Sequence, residues 1–178
     1  RKPGSHLESK PPKLGGTYAL VIFLPRKQTI RIGKLGAFKF PRGYYLYIGS
    51  AMSGMSARIA RHLVNNRLAS RKKNEQDNAA INHWRERKKK MHWHIDYFLE
   101  HAQVKEVWTH RGAERFECLW AQAALGLPKA KVIAPRFGAS DCNCVAHFVY
   151  FARRSFIGLK TENCLLAVHA FAKTQCLC

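Results

Sequence analysis

Short runs of apolar residues along the chain predict a β-sheet. Residues 17–24 are apolar at almost every position, which predicts a central strand that is buried on both faces. Shorter apolar or alternating runs predict further strands, at 29–32, 44–49, 104–109 and 148–151. Residues 34–43 are expected to be a glycine-bounded connection, and 132–134 a short extended segment.

Helical patterns lie between these strands. A helix is expected to begin near Ser56, and residues 92–102 favour a second helix. Residues 114–125 predict a third helix, which Gly126 and Pro128 end. The chain of 178 residues is one domain by length and is large enough to bury a substantial core.

Three segments lack clear apolar periodicity. Residues 1–13 are polar, basic and contain proline, so they predict a flexible basic arm. The domain is expected to span 14–153 and to carry a basic insertion at about 65–90, where large apolar residues are few. Residues 154–178 form a C-terminal extension with weaker patterning.

Positive charge dominates the composition. The chain has 31 Lys and Arg residues against 11 Asp and Glu residues, a formal net charge of +20. Net charge of this size repels itself, and a polyanionic partner removes that repulsion. Nucleic acid is therefore the favoured partner, with an anionic membrane surface as the alternative. No run approaches about eighteen apolar residues, so neither a membrane span nor a secretory signal is expected.

The basic insertion favours a nucleic-acid-binding element over a simple solvated face. Trp84 lies within it and Trp93 follows it, so aromatic surfaces are mixed with cations, as in a nucleic-acid groove. The cations that we expect to contact DNA are Arg61, Arg71, Lys72, Lys73, Arg85, Arg87, Lys88, Lys89 and Lys90.

The cysteines cluster late in the chain, at positions 118, 142, 144, 164, 176 and 178. This uneven spacing is unlike the disulfide framework of a small secreted protein, and a chain of this length does not need such cross-links. We therefore expect an intracellular, cytoplasmic and mostly reduced protein, associated with the nucleoid if it is prokaryotic.

Candidate chemistry is concentrated in one strand, turn and helix. Tyr45, Tyr47 and Gly49 alternate along one face of the strand. Arg58 lies four residues before His62 on the helix, so the two side chains share a face. Phenols, a guanidinium and an imidazole beside one turn indicate phosphate chemistry in a chain this basic.

Glu117 is the acidic residue that most needs a cation, because its helix is otherwise largely apolar. A bare buried carboxylate is costly or becomes neutral, so the partner is expected to be a metal ion or an arginine. A salt bridge at the rim of the core is the structural alternative. A hard divalent ion such as Mg²⁺ suits one carboxylate together with a substrate phosphate and waters.

Phosphodiester hydrolysis would use these groups in distinct roles. A tyrosine could accept the proton of the attacking water only if nearby cations lowered its pKa well below the usual value of about 10. The planar fork of Arg58 suits the phosphoryl oxygens better than a lysine would. A metal ion on Glu117 would act as a Lewis acid at the leaving oxygen.

An ordered set of motifs resembles a known family. In chain order the motifs are Gly16-Thr17-Tyr18, Tyr47-Ile48-Gly49, Arg58, His62 and Glu117 on a helix. This set resembles the GIY-YIG endonuclease superfamily. Longer stretches, among them Gly-Tyr-Tyr-Leu-Tyr-Ile-Gly-Ser-Ala and His-Trp-His-Ile-Asp-Tyr, are similar to a small branch that is sometimes fused to endonuclease III-type repair enzymes. The resemblance covers about residues 15–152.

The resemblance implies an α+β domain with a central, mostly antiparallel sheet flanked by helices. It also implies hydrolysis of DNA with one divalent ion, Mg²⁺ or Mn²⁺. By motif position, Tyr18 and Tyr47 would be the paired tyrosines, one of them the general base. Arg58 would bind phosphate, His62 would be the helical partner of the tyrosines, and Glu117 would be the metal ligand.

The fused relatives imply a role in DNA repair, on damaged, deaminated or structured DNA, with repair-pathway proteins as partners. Two rival interpretations remain. One is a non-catalytic nucleic-acid-binding module on a nuclease scaffold, and the other is an RNA-directed nuclease. The oligomeric state is not indicated by the sequence.

The chain departs from the family pattern at two places. An extra hairpin separates Tyr18 from Tyr47, which makes Tyr45 a rival for the catalytic phenol. Gly138 stands where many members have an asparagine after a Pro-x-aromatic turn. The residues that could replace that asparagine are Ser140, Asp141 and Asn143.

Further polar residues belong to the smaller branch. His92, His94 and Asp96, with Ser140 and Asp141, are candidate auxiliary or substrate-reading groups, and hydrogen-bonded packing is the structural alternative for the histidines. Cys142, Cys144 and His147 could form a structural zinc site completed by His92 or His94. Zinc is the less favoured interpretation, because the spacing is not that of a standard zinc finger and cysteine is commonly a small buried apolar residue.

Overall fold

The computed structural model describes residues 15–70 and 91–154, without the side chains of 64–70. The predicted N-terminal arm and nearly all of the C-terminal extension lie outside these residues. The strands of the described part are β1 (Gly16–Leu24), β2 (Gln28–Ile32), β3 (Gly36–Phe40), β4 (Gly43–Ser50), β5 (Gln103–Arg111) and β6 (Phe148–Phe151). Its α-helices are α1 (Met55–Ser70), α2 (His94–Leu99) and α3 (Glu117–Leu125). None of these helices is both long and apolar enough to cross a membrane.

The main sheet is antiparallel throughout, in the order β5-β1-β4-β6, and β2 and β3 form a separate antiparallel pair. One face of the sheet is covered by α2 and the β2–β3 pair, and the other face by α3. The expected α+β fold with a central, mostly antiparallel sheet and flanking helices is therefore confirmed.

Strand β1 lies inside the sheet and is buried on both faces, as its continuous apolar run predicts. Leu20 and Ile22 belong to the core on one face, and Ala19 and Val21 to the core on the other. Each fully buried Leu or Ile contributes roughly 1.5–3 kcal/mol through the removal of apolar surface from water. Burial on both faces also fixes the register, because a slip of one residue would exchange the two sets of side chains.

The register of β1 against β4 brings the motif residues together. Tyr18 lies opposite Gly49, and Leu20 lies opposite Tyr47. β1 begins, and β4 and β5 end, at the same end of the sheet. Helix α1 starts directly after the turn that follows β4, so its first residues lie at that end as well.

Two of the predicted connections are wrong. Residues 36–40 form strand β3 instead of an irregular connection, because Phe40 is fully buried and the strand pairs with β2. Residues 132–134 do not form the predicted extended segment. The β-type pairing in this region is made by Lys131, which forms an isolated bridge with Tyr150. The chain then turns, with the Phe137 N–H donating to the Ala134 carbonyl.

The helix boundaries also differ from the predictions, and α2 is shorter than the predicted helix over 92–102. Helix α3 begins at Glu117 and not at 114; the backbone N–H of Phe116 instead donates to Thr17 Oγ1 at 2.9 Å. Helix α1 continues to Ser70, so the first residues of the predicted basic insertion are helical. The rest of that insertion, residues 71–90, lies outside the described part of the chain.

Candidate active site

The motif residues converge on a cavity of about 390 Å³ at the end of the sheet where β1 begins and β4 ends. Tyr18 comes from β1, Tyr47 from β4, Arg58 from α1 and Glu117 from α3. The predicted auxiliary residues that also line the cavity are His92, His94, Ser140 and Asp141. Lining residues that the sequence analysis did not single out include Met52, Ser53 and Arg115.

A series of polar side chains runs from the cavity into the protein. The Tyr18 hydroxyl lies 2.9 Å from His62 Nε2, and it also hydrogen bonds with Tyr47. His62 is buried behind the tyrosines, and its Nδ1 lies 3.9 Å from Asp96 Oδ1. The order from the cavity inwards is therefore phenol, imidazole, carboxylate. With the imidazole proton on Nδ1 facing Asp96, Nε2 can accept the hydroxyl hydrogen of Tyr18.

Gly49 makes room for the Tyr18 phenol. A Cβ at this position would lie 2.8 Å from the Tyr18 hydroxyl oxygen and 3.3 Å from the Tyr47 ring. A side chain here would therefore displace the phenol or the strand. The glycine of the Tyr-Ile-Gly motif has a packing role that follows directly from the strand register.

The surroundings of the tyrosines decide their pKa values. Burial raises the pKa of Tyr18 and raises that of Tyr47 still more clearly, while the Arg58 guanidinium lowers both by a smaller amount. The condition for a tyrosine base, a pKa lowered by nearby cations, is therefore not met in the protein alone, because loss of hydration outweighs the nearby cation. Both phenols are neutral at ordinary pH and keep their hydroxyl hydrogens.

Arg58 is held against an aromatic ring at the cavity. Its guanidinium carbon lies 4.0 Å from the centre of the Trp93 ring, and that of Arg61 lies 4.2 Å from the same centre. Arg61 also donates to Asp96 Oδ2 at 3.0 Å. Stacking on a ring limits the motion of a guanidinium and leaves its N–H groups free to bind other acceptors.

Asp96, a predicted auxiliary residue, does not line the cavity. It is fully buried, and its Oδ2 accepts the backbone N–H groups of His92 and Trp93 at the start of α2 as well as the Arg61 side chain. Its contacts are those of a helix-capping carboxylate that also faces His62. Of the cations predicted to contact DNA, Arg61 is described and is ion-paired; the others lie in residues 71–90, outside the described part.

Glu117 presents its carboxylate at the cavity wall. Its side chain is only 14% exposed, and the hydrogen bond from Phe116 to Thr17 fixes the start of its helix next to Tyr18. The structural alternative to a metal ion is a salt bridge. Its cation is Arg115, whose Nη1 lies 4.0 Å from Glu117 Oε1. Arg115 is largely exposed, so this ion pair is weak and leaves the carboxylate able to hold a metal ion.

Tyr45 lies apart from the cavity. The side chain is fully buried, its hydroxyl donates to the Pro41 carbonyl at 2.6 Å, and its ring stacks on Phe148. A hydroxyl held in this way has no access to substrate. The structure therefore leaves Tyr18 and Tyr47 as the phenols of the cavity.

Gly138 lies against the Tyr47 ring with a φ of 75°, a backbone conformation that favours glycine. A Cβ here would lie 3.1 Å from that ring. Ser140 and Asp141, two of the candidates to replace the family asparagine, line the cavity, and Asn143 is not among the lining residues.

A second group of polar side chains adjoins the cavity. The ligand atoms of Cys118, Cys142, Cys144 and His147 all lie within 4.8 Å of one another, so this group could hold a metal ion. The expected completion by His92 or His94 is wrong, since the fourth residue of this group is Cys118. Burial, together with the neighbouring thiols, raises the pKa of Cys118 to about 12.

Little in the sequence connects Cys118 with this group. Cys118 lies on α3, next to Glu117 and 24 positions before Cys142, so no local ligand spacing connects it to the other cysteines. His94, one of the two candidate ligands, instead accepts the backbone N–H of Gly138 on Nδ1 at 3.1 Å. Burial lowers the pKa of this ring, in agreement with its role as a neutral acceptor.

Comparison with known proteins gives one match. The model of the family described as Domain of unknown function DUF123 matches residues 17–170. That range includes all the cavity residues named above. No curated protein and no solved structure matches the chain.

Proposed function

We propose that this chain, which belongs to the DUF123 family of unknown function, is a metal-dependent DNA endonuclease of the GIY-YIG type. The observation that supports the proposal is the convergence of Tyr18, Tyr47, Arg58 and Glu117, from separate elements, on one cavity. The net charge of +20 supports a polyanionic substrate. The role in repair, on damaged, deaminated or structured DNA, is supported by the resemblance to relatives of repair enzymes.

Arg58 would bind the scissile phosphate. Its guanidinium is oriented by the Trp93 ring, so a fixed set of donors faces the cavity. Donors that are fixed before the substrate arrives stabilise the charge that develops in the transition state without reorganising at that moment. His92, which also lines the cavity, would contact the substrate close to this phosphate.

The buried polar series would move the proton of the attacking water. The raised pKa values argue against a free phenolate as the base. A neutral Tyr18 that accepts a proton from water can pass its own hydroxyl hydrogen to His62 Nε2, 2.9 Å away. Asp96 then faces the imidazolium through Nδ1. Proton acceptance is thus shared by a tyrosine and a histidine, and Tyr47 positions the Tyr18 hydroxyl.

Glu117 would hold the divalent ion, Mg²⁺ or Mn²⁺. A largely buried carboxylate with only a weak ion pair at the wall of a polar cavity fits a hard cation that keeps several waters. When bound, such an ion supplies Lewis-acid stabilisation at the leaving oxygen. Asp141 is the other carboxylate of the cavity wall.

The test is cleavage of a panel of DNAs by the purified chain, with and without Mg²⁺ or Mn²⁺. The panel contains abasic, uracil-, hypoxanthine- and xanthine-containing, mismatched and branched duplexes, with matched RNAs. We expect Arg58→Ala and Glu117→Gln each to lower the rate by about 10²–10³-fold or more while DNA affinity changes little. Tyr45→Phe is the matched control and should keep full activity, whereas Tyr18→Phe should not.

The outcomes separate the rival functions. Normal cleavage by both Arg58→Ala and Glu117→Gln would show that the proposed site is wrong. Tight, salt-dependent DNA binding without cleavage of any substrate would indicate a non-catalytic module. Cleavage of RNA in preference to every DNA would indicate an RNA-directed nuclease.

A further inference from the structure

The cysteine–histidine group beside the cavity is drawn together from distant parts of the chain. Cys118 lies in the first turn of α3, whereas Cys142, Cys144 and His147 lie in the loop that leads to β6. All four ligand atoms lie within 4.8 Å of one another, and Cys142 Sγ is 3.4 Å from His147 Nε2. The thiols are free and only partly buried, which is unlike cysteines that merely fill an apolar core.

These separations agree with a tetrahedral site. Zinc binds thiolate sulfur at about 2.3 Å and imidazole nitrogen at about 2.0–2.1 Å, which places neighbouring ligands of a tetrahedron about 3.5–3.8 Å apart. The group is therefore close to that size and needs only a small contraction. Soft thiolate ligands select zinc over Mg²⁺ or Ca²⁺, which prefer oxygen.

The imidazole is oriented for this role by the surrounding backbone. The backbone N–H of His147 donates to the Phe137 carbonyl at 2.8 Å, and the backbone carbonyl of His147 accepts the Ile48 N–H at 2.9 Å. The ring is also hydrogen bonded to the backbone of Gly138. A metal-binding histidine commonly uses its second nitrogen in such a bond, which fixes the ring and the nitrogen that faces the metal.

We propose that Cys118, Cys142, Cys144 and His147 bind one zinc ion as a structural site. Four protein ligands fill a tetrahedral coordination shell, so the ion has no open position for a substrate. It is therefore separate from the divalent ion proposed at Glu117. Zinc would join the first turn of α3 to the loop before β6, and Cys118 is the residue next to Glu117. The same cross-link holds His147 at the cavity wall.

Metal analysis of the full-length chain, purified under reducing conditions without chelators, tests the proposal. We expect about one zinc ion per chain by mass spectrometry of the metals, and loss of most of it in Cys118→Ser and in Cys144→Ser. The control is the triple variant Cys164→Ser/Cys176→Ser/Cys178→Ser, whose cysteines lie outside the described residues. It should keep its zinc. Folded wild-type protein without zinc, or zinc that is lost only in the triple variant, would overturn the proposal.

A second measurement, on the wild-type chain, tests the zinc site even if the cysteine variants fail to fold. A strong zinc chelator should lower the Tm of the wild-type chain, because binding of a structural ion is part of the folding free energy. Zinc, but not Mg²⁺, should restore the Tm, and Co²⁺ added to the zinc-free chain should give the thiolate-to-cobalt absorption of a tetrahedral site. An unchanged Tm with no such absorption would contradict the proposal.

The effect of zinc on cleavage rests on the proposed nuclease function, and its failure can be told apart from that of the zinc site. Glu117→Gln should lose cleavage and keep its zinc, because Glu117 is not a ligand. If Glu117→Gln keeps both, the metal site proposed at Glu117 fails and the zinc site stands, whereas a zinc-loaded wild-type chain that cuts no DNA refutes the nuclease function alone. If the wild-type chain cuts DNA at the same rate with and without zinc, the zinc site does not help to position Glu117 for cleavage.

Discussion

Two clusters of side chains reach the cavity and are held in different ways. One, the tyrosine wall, consists of Tyr18 and Tyr47, which line the cavity, with His62 and Asp96 buried behind them. The other, the cysteine wall, consists of His147, which lines the cavity, with Cys118, Cys142 and Cys144 beside it. The tyrosine wall stands on strands and helices and is fixed by strand register and burial. Three residues of the cysteine wall lie instead in a loop. The thiols are only partly buried, and the four polar side chains of this wall contact one another. Packing can fix the first wall, whereas the second has the chemistry of a metal cross-link.

Asp96→Ala would break the tyrosine wall most severely. The carboxylate is fully buried, pairs with Arg61 and accepts backbone N–H groups at the start of α2. Removing it leaves buried donors without an acceptor, so we expect the free energy of unfolding to fall by about 3 kcal/mol in urea denaturation. The control is Asp141→Ala, since Asp141 is exposed on the loop of the other wall. Equal losses in the two variants would contradict the distinction between the walls.

Gly49→Ala tests how tightly the phenols are packed. The new Cβ would lie 2.8 Å from the Tyr18 hydroxyl oxygen, so the phenol or the strand must move. Overpacking of this kind costs about 1–3 kcal/mol, and cleavage should fall together with stability. Gly126→Ala is the matched control, because its nearest contact would be an ordinary 3.5 Å. A Gly49→Ala chain as stable and as active as the control would show that the wall tolerates movement.

The smallest expected effect concerns His94, which joins α2 to the loop of the cysteine wall. Nδ1 accepts the Gly138 N–H, and burial lowers the pKa of the ring. The unfolded chain then binds more protons than the folded chain below about pH 6.5, so stability should fall as the pH falls through this value and be constant above it. Because the ring is only half-buried, solvent reduces the effect to roughly a few tenths of a kcal/mol.

The comparison variant for this pH effect is His94→Asn. The asparagine oxygen can accept the same N–H but does not titrate. Urea unfolding at pH 5.5 and pH 7.5 should therefore show a smaller difference in stability for the variant than for the wild-type chain. Identical differences would mean that His94 contributes nothing to the pH dependence.

The sequence predicted the tyrosine wall better than the cysteine wall, for a physical reason. Tyr18 and Tyr47 lie in strands that the apolar pattern predicts, and the resemblance of the motifs implies that the two tyrosines form a pair. Cys118 comes close to Cys142 only in the folded chain, and no local periodicity in the sequence predicts that contact. The sequence does not predict strand β3, because a five-residue strand between glycines has the pattern of a loop.

The tyrosine environment shows a different limit of sequence reasoning. The sequence shows that cations able to lower a phenol pKa lie close to the tyrosines, because the neighbouring arginine can be read from it. The extent of burial cannot be read in this way, and burial decides the direction for both Tyr18 and Tyr47. The position of Tyr45 has the same explanation, since only the packed core shows that its hydroxyl faces Pro41.

The hydrogen bond between Thr17 and Phe116 has a consequence for the order in which the domain forms. It joins residues 99 positions apart, beside the pairing of β1 with β5. Contacts at such separation form slowly, because the long intervening chain must first be closed into a loop. A chain still on the ribosome can complete the β1–β4 pair, but it lacks the α3 carboxylate and the loop before β6. The proposed cleavage site would therefore be complete only after nearly the whole domain has been synthesised.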